Sequence, residues 1–387
     1  MNKKILLITY GGGHVKIIEK LYEKLKKNQT YEVTILAFTS AKNYLEDKKI
    51  KVKSLYDYEF KTKLLYKLIP SYKKNEFISK EEHVLYNSLS IQELLEKYSE
   101  DITNELIKNY GKRVYLPVKT MKKVLQIEQP DLLITTNAPR MERAALIAAR
   151  ELGIVSVSIE DLFGEISIED KKIDNYLGGD IYSKTYGDYV FVMNKYAKEK
   201  LILNGVQGKK IYITGNPNFE KSLSHKLSIE NRKRNKVLYL SQQTNNFKMI
   251  FEKLLKISQK SEQLNFTIKL HPNQKIELNN KNIKEEYELE KAIADTDLII
   301  TEYSSAGLEG LVQGKKLIVI QLNEEHSKVI PFEKFYGVKI LKTLTNLENE
   351  IVDFLNKTIS DDKRKQFRYK VNSAYIMKKR IDRILLK

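Results

Sequence analysis

Several short stretches combine residue types that can do acid–base or phosphate chemistry. "YGGGHV", residues 10–15, sets His14 behind three glycines. An imidazole titrates near neutrality and is a candidate general base or acceptor ligand. Gly12 and Gly13 let the backbone approach a ligand and leave amides at a helix N-terminus, which favours anions. A tight strand–helix turn accounts for the glycines equally well. The stretch is not GxGxxG, and no acidic residue ends the next strand to take a ribose.

"TTNAPRMERAAL", 135–146, offers Asn137 and Arg140. Arg140 is a candidate bidentate ligand for phosphate or carboxylate, with a surface ion pair as the plain alternative. "SIEDLFGE", 158–165, carries Glu160 and Asp161. Neighbouring residues on a strand end point to opposite sides, so at most one of them joins a given site. "ITGNP", 213–217, holds Gly215, as hinge or ligand contact. "LHPNQ", 270–274, ends an apolar run with His271 and Pro272. "TEYSSAGLEG", 301–310, supplies Tyr303, Ser304 and Ser305 where a helix begins, with Glu309 one turn in. Two hydroxyls and free helical amides suit a phosphate, although serine is also an ordinary N-cap. A carboxylate at Glu309 can accept from ribose hydroxyls or simply complement the helix dipole.

These residues all follow short apolar runs, and the runs define the architecture. "KKILLITY", "YEVTILAF", "PDLLITTN", "IVSVSIE", "YVFVMN" and "KKIYITGN" alternate with amphipathic helical stretches in the first half. "KVLYLSQQ", "NFTIKLHP", "DLIITEYS" and "KKLIVIQL" repeat the pattern in the second. Nearly continuous apolar strands alternating with helices predict parallel sheets covered on both faces. The expected fold class is α/β, with two doubly wound Rossmann-like domains facing across a cleft. Ligands in such sheets bind beyond the carboxyl ends of the strands. The boundaries expected are 1–218 for the first domain, with a helical basic insertion about 51–125, 219–235 for a polar linker, and 236–387 for the second domain with a C-terminal helix. The lysine- and tyrosine-rich insertion reads as a solvated face, or as a surface for an anionic membrane or charged acceptor.

Composition narrows the chemistry. Among 387 residues there is no cysteine, which excludes disulfides, thiolate metal sites and a cysteine nucleophile. The 68 basic residues against 50 acidic ones give a net charge of +18. Such a charge attracts polyanions, but the lysines are spread along the chain, whereas nucleic-acid binding favours a concentrated footprint. A basic nucleic-acid-binding protein is therefore a minor alternative, and no nucleic-acid partner is expected. The apolar core before "GGGH" is too short for a signal peptide, and no run approaches the roughly 18 apolar residues of a membrane span. The expectation is a cytoplasmic protein, soluble or peripheral at the inner face of the membrane.

The combination of "KLHPN" with "TEYSSAGLEGLVQGKKLIVI" resembles the nucleotide-binding half of GT-B glycosyltransferases. It is similar in particular to bacterial sialyltransferases, Kdo transferases of capsule assembly and CDP-glycerol glycerophosphotransferases. The resemblance implies donor-phosphate contacts from His271, Pro272, Tyr303, Ser304 and Ser305, a ribose contact from Glu309, and a donor-side place for Gly215. Gly12, Gly13, Asn137 and Arg140 would serve the acceptor, with His14, Glu160, Asp161 and His271 as the catalytic candidates. It implies a CMP-, CDP- or UDP-linked donor, a glycan or lipid-linked acceptor in bacterial capsule or other surface-polysaccharide synthesis, no cofactor and no metal. "EDLFG" lacks the glycine that adjoins the paired acids in the sialyltransferases, and Glu309 stands where the glycerophosphotransferases usually have Asp. Glycerol-phosphate transfer is one enzyme alternative. A UDP-GlcNAc 2-epimerase, which shares the fold, is another, although its usual "GTRPE"-like opening and "EAGLR"-like segment are missing.

Overall fold

The computed structural model describes residues 2–60, 65, 68–69, 78–136, 139–161, 163–164, 168–181, 185–219, 235–271, 274, 282–322, 330–335, 337–358 and 372–386. Asn137, Pro272 and residues 220–234 of the polar linker lie outside them. The chain divides into two compact units, one of Met1–Asn218 with Asn372–Lys387 and one of Phe219–Val371.

The first unit is built on six parallel strands, β1 (Lys3–Thr9), β2 (Tyr31–Ala37), β3 (Leu132–Thr135), β4 (Val155–Glu160), β5 (Tyr189–Val192) and β6 (Ile211–Ile213), in the order β2-β1-β3-β4-β5-β6. The helices are α1 (Gly13–Leu25), α2 (Ser40–Glu46), α3 (Lys80–Leu95), α4 (Glu100–Tyr110), α5 (Val118–Glu128), α6 (Met141–Leu152), α7 (Ile168–Leu177) and α8 (Lys195–Leu203). Alternation along β1 shows why the sheet is covered twice. Ile5 and Leu7 join Val15, Ile18 and Leu21 of α1 in one core cluster. Leu6 and Ile8 join Met121 of α5 and Ala144 and Ala148 of α6 in the other. All four strand residues are at most 1% exposed, each contributing about 1.5–3 kcal/mol by burial.

The second unit repeats the plan with β7 (Asn235–Leu240), β8 (Leu264–Lys269), β9 (Ile283–Glu285), β10 (Leu298–Thr301), β11 (Lys316–Ile320) and β12 (Val338–Leu341), ordered β12-β11-β10-β7-β8-β9 and parallel throughout. Its helices are α9 (Phe247–Lys260), α10 (Leu289–Ala294), α11 (Ala306–Val312) and α12 (Leu347–Asn356). The short edge strands β9 and β12 have no counterpart in the sequence reading. β9 is Ile-Lys-Glu and β12 is Val-Lys-Ile-Leu, each short, broken by a lysine and partly exposed, so each lacks the continuous apolar signature.

The last helix, α13 (Ser373–Leu385), belongs to the first unit, not to the second as its place in the sequence suggested. Met377 and Ile381 are completely buried in the same core cluster as α1. The Tyr31 hydroxyl donates to Asp382 at 2.7 Å. Burial, reinforced by Asp382, pushes the Tyr31 phenol up to about 12.

The described part of 51–125 is helical and packs onto the first unit through Tyr86, Leu89, Ile91 and Leu94 of α3. Asn87 is fully buried on α3, donating to the His83 carbonyl at 2.6 Å and accepting from the Tyr115 hydroxyl at 3.0 Å. Among the described residues no helix is long and apolar enough to cross a membrane.

Candidate functional site

In each unit, the polar residues of interest emerge from the carboxyl ends of neighbouring strands. In the first unit β1 runs into Tyr10 and the glycine turn. A Cβ on Gly11 would lie 1.8 Å from Ser40 Oγ, so no larger residue fits without displacing that serine. Gly12 has φ 73° and ψ −133°, a conformation open to glycine and strained for other residues. His14 then stands in the first turn of α1, with Nδ1 3.5 Å from Asp161 Oδ2, both side chains partly exposed.

Glu160 and Asp161 diverge at the end of β4. Glu160 accepts from the Tyr186 hydroxyl at 3.2 Å, whereas Asp161 faces His14. The "TGNPNF" turn after β6 closes on the same place. Asn216 Nδ2 donates to the Asp161 carbonyl at 3.3 Å, Asn218 Nδ2 to the Gly13 carbonyl at 2.9 Å, and Lys20 Nζ to the Pro217 carbonyl at 2.8 Å. Gly215, given to the donor side from the sequence, lies in the first unit with φ 86°.

Between β1 and β3 a carboxylate absent from the sequence reading ties the strand ends together. Glu142, in the first turn of α6, is completely buried. Its oxygens accept from the Tyr10 N–H at 3.1 Å, the Thr136 N–H at 2.8 Å and the Thr136 hydroxyl at 2.7 Å. Arg140 precedes α6 and stacks on Tyr10, Cζ 4.3 Å from the ring centroid. The Tyr10 hydroxyl accepts from the Met141 N–H at 3.2 Å and lies 2.8 Å from the Tyr86 hydroxyl.

In the second unit β10, β7 and β8 are adjacent, and their ends form a network of amides and hydroxyls. Gln242, after β7, is 6% exposed and accepts the Tyr303 N–H at 2.7 Å. Gln274 accepts the His271 N–H at 3.0 Å and the Ser241 hydroxyl at 2.6 Å, and donates to the Gln242 carbonyl at 3.0 Å. Glu302 is buried and accepts from the Thr244 hydroxyl at 2.6 Å and Asn246 Nδ2 at 3.0 Å. Burial, then Glu302, raises the Tyr303 phenol above its usual value. His271 and the Tyr303–Ser304 turn are thus anchored to one glutamine-centred brace. The brace leaves His271 partly exposed at the strand end.

The two serines differ. Ser304 accepts the Ala306 N–H at 3.2 Å, acting as the local cap, while Ser305 is exposed and makes no side-chain cap hydrogen bond. Glu309 is partly buried in the first turn of α11. Gln242, Gln274, Glu302 and Glu142 were missed by the sequence reading. "SQQT" directly follows a strand, so inspecting every strand end would have found Gln242. Glu142 had no such signal, because it reads as an ordinary acid in a helix's first turn. Among the described residues no group of three histidines, aspartates or glutamates could hold a metal ion.

No protein-family model and no curated protein matches the sequence. Solved structures do match over the whole chain. A UDP co-structure of MnaA from S. aureus has a TM-score of 0.64 at 14% identity, covering 99% of this chain and 97% of that one. The UDP-GlcNAc 2-epimerase from Neisseria meningitidis bound to UDP-GlcNAc has a TM-score of 0.62 at 13% identity, covering 98% and 100%. The glycotransferase of kitacinnamycin has a TM-score of 0.59 at 12% identity, covering 98% and 99%. At such identities the likeness is one of fold. The fold is α/β, with two Rossmann-like units of six parallel strands each, as in two-domain GT-B proteins.

Proposed function

We propose that this protein is an enzyme acting on a UDP-linked sugar, and that its reaction is inversion at C2 of a UDP-N-acetylhexosamine. The observation that carries this reading is the full-length likeness to UDP-GlcNAc 2-epimerases, one bound to UDP-GlcNAc itself. It favours a UDP donor over the CMP and CDP donors implied by the sequence motifs, and ring chemistry over transfer. The second unit takes the nucleotide. His271 and the Ser304 hydroxyl, held by the Gln242–Gln274 brace, supply donors to the phosphates and offset the charge that develops on the leaving diphosphate.

The first unit supplies the base. A hexosamine C2–H is not acidic by itself, so its proton leaves as the C1–O bond to the diphosphate breaks. His14 takes that proton, and Asp161, on the Nδ1 side of the ring, orients the imidazole and stabilises its charged form. Re-addition of UDP at C1, with a proton delivered to the opposite face of C2, completes the inversion.

Transfer to an acceptor is the second reading, favoured by one observation. The His14–Asp161 pair is sufficient to deprotonate an acceptor hydroxyl, a reading with which the fold likeness to the kitacinnamycin glycotransferase agrees. Either reaction would serve surface-glycan assembly. Proton NMR of UDP-GlcNAc incubated with the protein in D2O separates them. Epimerisation gives a second nucleotide-sugar spin system with deuterium at C2. Transfer gives UDP only when an acceptor is added and leaves C2 protonated. Absence of both, with no UDP binding, would refute the proposal.

A further inference from the structure

The exposed aliphatic side chains of the first unit are not scattered. Among its described residues six isoleucine, leucine or valine side chains stand exposed, and four of them, Ile127, Val155, Ile202 and Leu203, lie along one edge of the sheet. Ile127 stands at the end of α5 ahead of β3, Val155 opens β4, and Ile202 and Leu203 end α8 ahead of β6. All six strands are parallel, so these positions share the amino edge, opposite the carboxyl edge that carries His14 and Asp161.

The most exposed point of that edge is the corner where α8 turns into β6. Ala197 and Leu201 fill the buried face of α8. Gly205, with φ 91°, ends the helix, and the N–H groups of Gly205 and Val206 donate to the Ile202 and Leu201 carbonyls at 3.0 Å each. Ile202 and Leu203 lie outside the core, 44% and 82% exposed. Ile202 rests on the 3-10 turn Gly208–Lys210, where a Cβ on Gly208 would come within 3.1 Å of its Cδ1. A helix end in water favours polar residues at such places. An adjacent aliphatic pair presented on a fixed turn and rimmed by polar residues marks a contact surface.

The charge around the pair selects its partner. Residues 195–210 contain five lysines and one glutamate, and that Glu199 pairs with Lys195 at 3.4 Å. Acids at neighbouring strand starts are likewise occupied. Asp188 accepts the Ser156 N–H at 2.9 Å, and Asp131 pairs with Lys3 at 3.0 Å. Lys198 Nζ is held at the start of β6 by the Ile211 carbonyl at 3.1 Å, while Lys209 and Lys210 occupy the turn beside Ile202. An apolar tip rimmed by lysines matches an anionic lipid surface, whose acyl boundary takes the aliphatic side chains and whose headgroups take the ammonium groups. The same rim opposes a second copy of this corner, because like charges would then face each other.

We propose that the α8–β6 corner docks the protein on an anionic phospholipid bilayer. Ile202 and Leu203 enter the headgroup boundary, and Lys198, Lys209 and Lys210 meet the lipid phosphates. Docking there turns the amino edge of the sheet to the lipid and leaves the carboxyl edge, with His14, open to soluble substrates. The docking surface is this corner and not the lysine-rich insertion, and it stands on the first unit's geometry whichever reaction the enzyme performs.

The test is co-sedimentation of the full chain with vesicles of phosphatidylglycerol and phosphatidylcholine in equal parts, against pure phosphatidylcholine, at low and high salt. Wild type should bind the anionic vesicles saturably, lose most of that binding at high salt, and bind the neutral vesicles far less. Ile202→Gln combined with Leu203→Gln should weaken binding to the anionic vesicles about tenfold or more, with the thermal midpoint and UDP-GlcNAc turnover in solution unchanged. Lys209→Gln and Lys210→Gln should each weaken it about fivefold. Ile102→Gln, at an exposed position of α4 in the helical insertion, should bind as wild type does. Binding that is absent, that ignores lipid charge, or that survives the Ile202–Leu203 double substitution overturns the assignment. So does light scattering that finds a wild-type dimer turned into a monomer by the same double substitution, since the pair would then seal an interface between copies. Turnover is read without vesicles, so docking and the proposed reaction can fail separately.

Discussion

Replacing Glu142 by Gln changes two atoms' chemistry and almost no volume, at a point where two strand ends are held together. The carboxylate is completely buried and accepts backbone N–H groups from Tyr10, after β1, and from Thr136, after β3. These strands are direct neighbours, with Ile8 opposite Thr135. Glutamine keeps one acceptor oxygen and turns an NH2 group toward the other backbone donor. One charge-assisted hydrogen bond, worth about 1.5–3 kcal/mol, is lost, and a buried N–H is left unsatisfied. The expected cost is about 2–4 kcal/mol, a drop in Tm of roughly 5–15 °C for a unit of this size. Urea unfolding should show a lower midpoint at unchanged m, and hydrogen exchange should quicken at the Tyr10 and Thr136 amides before the rest of the sheet. Thr136→Val removes only the hydroxyl donor and should cost about 1 kcal/mol, with less than that additional loss in the Glu142→Gln background. A Glu142→Gln protein within about 0.5 kcal/mol of wild type, with both amides still protected, would refute the clamp.

Further outcomes follow from the same geometry. His14→Ala should lower turnover of UDP-GlcNAc about 10²- to 10⁴-fold without changing the thermal midpoint appreciably, and Asp161→Asn should act in the same direction by a smaller factor; full activity in His14→Ala would remove the base. Gln242→Leu strips the acceptor from the Tyr303 N–H and should weaken UDP binding about tenfold in calorimetry, while unaltered affinity would show that the brace does not shape the nucleotide loops. Burial, then Arg140, lowers the Lys112 pKa, which predicts a pH effect. The unfolded state holds that proton more tightly, so the penalty is full below the folded-state pKa and vanishes as pH rises toward 10.5. The stability difference between Lys112→Met and wild type should therefore shrink on the alkaline side, and a pH-independent difference would contradict the buried-cation reading.

Much of the architecture could be read locally, because a parallel strand buried on both faces is a continuous apolar run. "LLIT" at 132–135 and "LIIT" at 298–301 needed no tertiary information to be recognised. The same rule singled out His14, Asn137, Arg140, Glu160, Asp161, His271, Tyr303, Ser304 and Ser305 as candidates, since polar residues directly after such runs lie at the carboxyl edge of a sheet. The edge strands β9 and β12 escaped it, being half exposed and lysine-interrupted.

What the sequence determined by itself, then, is the periodicity: which segments are buried strands, which are helices, and where those strands stop. Only the folded chain decided which strand ends are neighbours. The order β2-β1-β3-β4 sets Glu142 between Tyr10 and Thr136 and brings Asp161 to His14, across sequence gaps that no local pattern spans. Packing likewise carried α13 back onto α1, where Met377 and Ile381 bury fully, and set Lys112 of the helical insertion beside Arg140 on one pair of tyrosines. Apolar burial is a property of short segments and is written in them. The pairing of charges and hydrogen-bond partners is a property of the closed topology, and it exists only once the chain has folded.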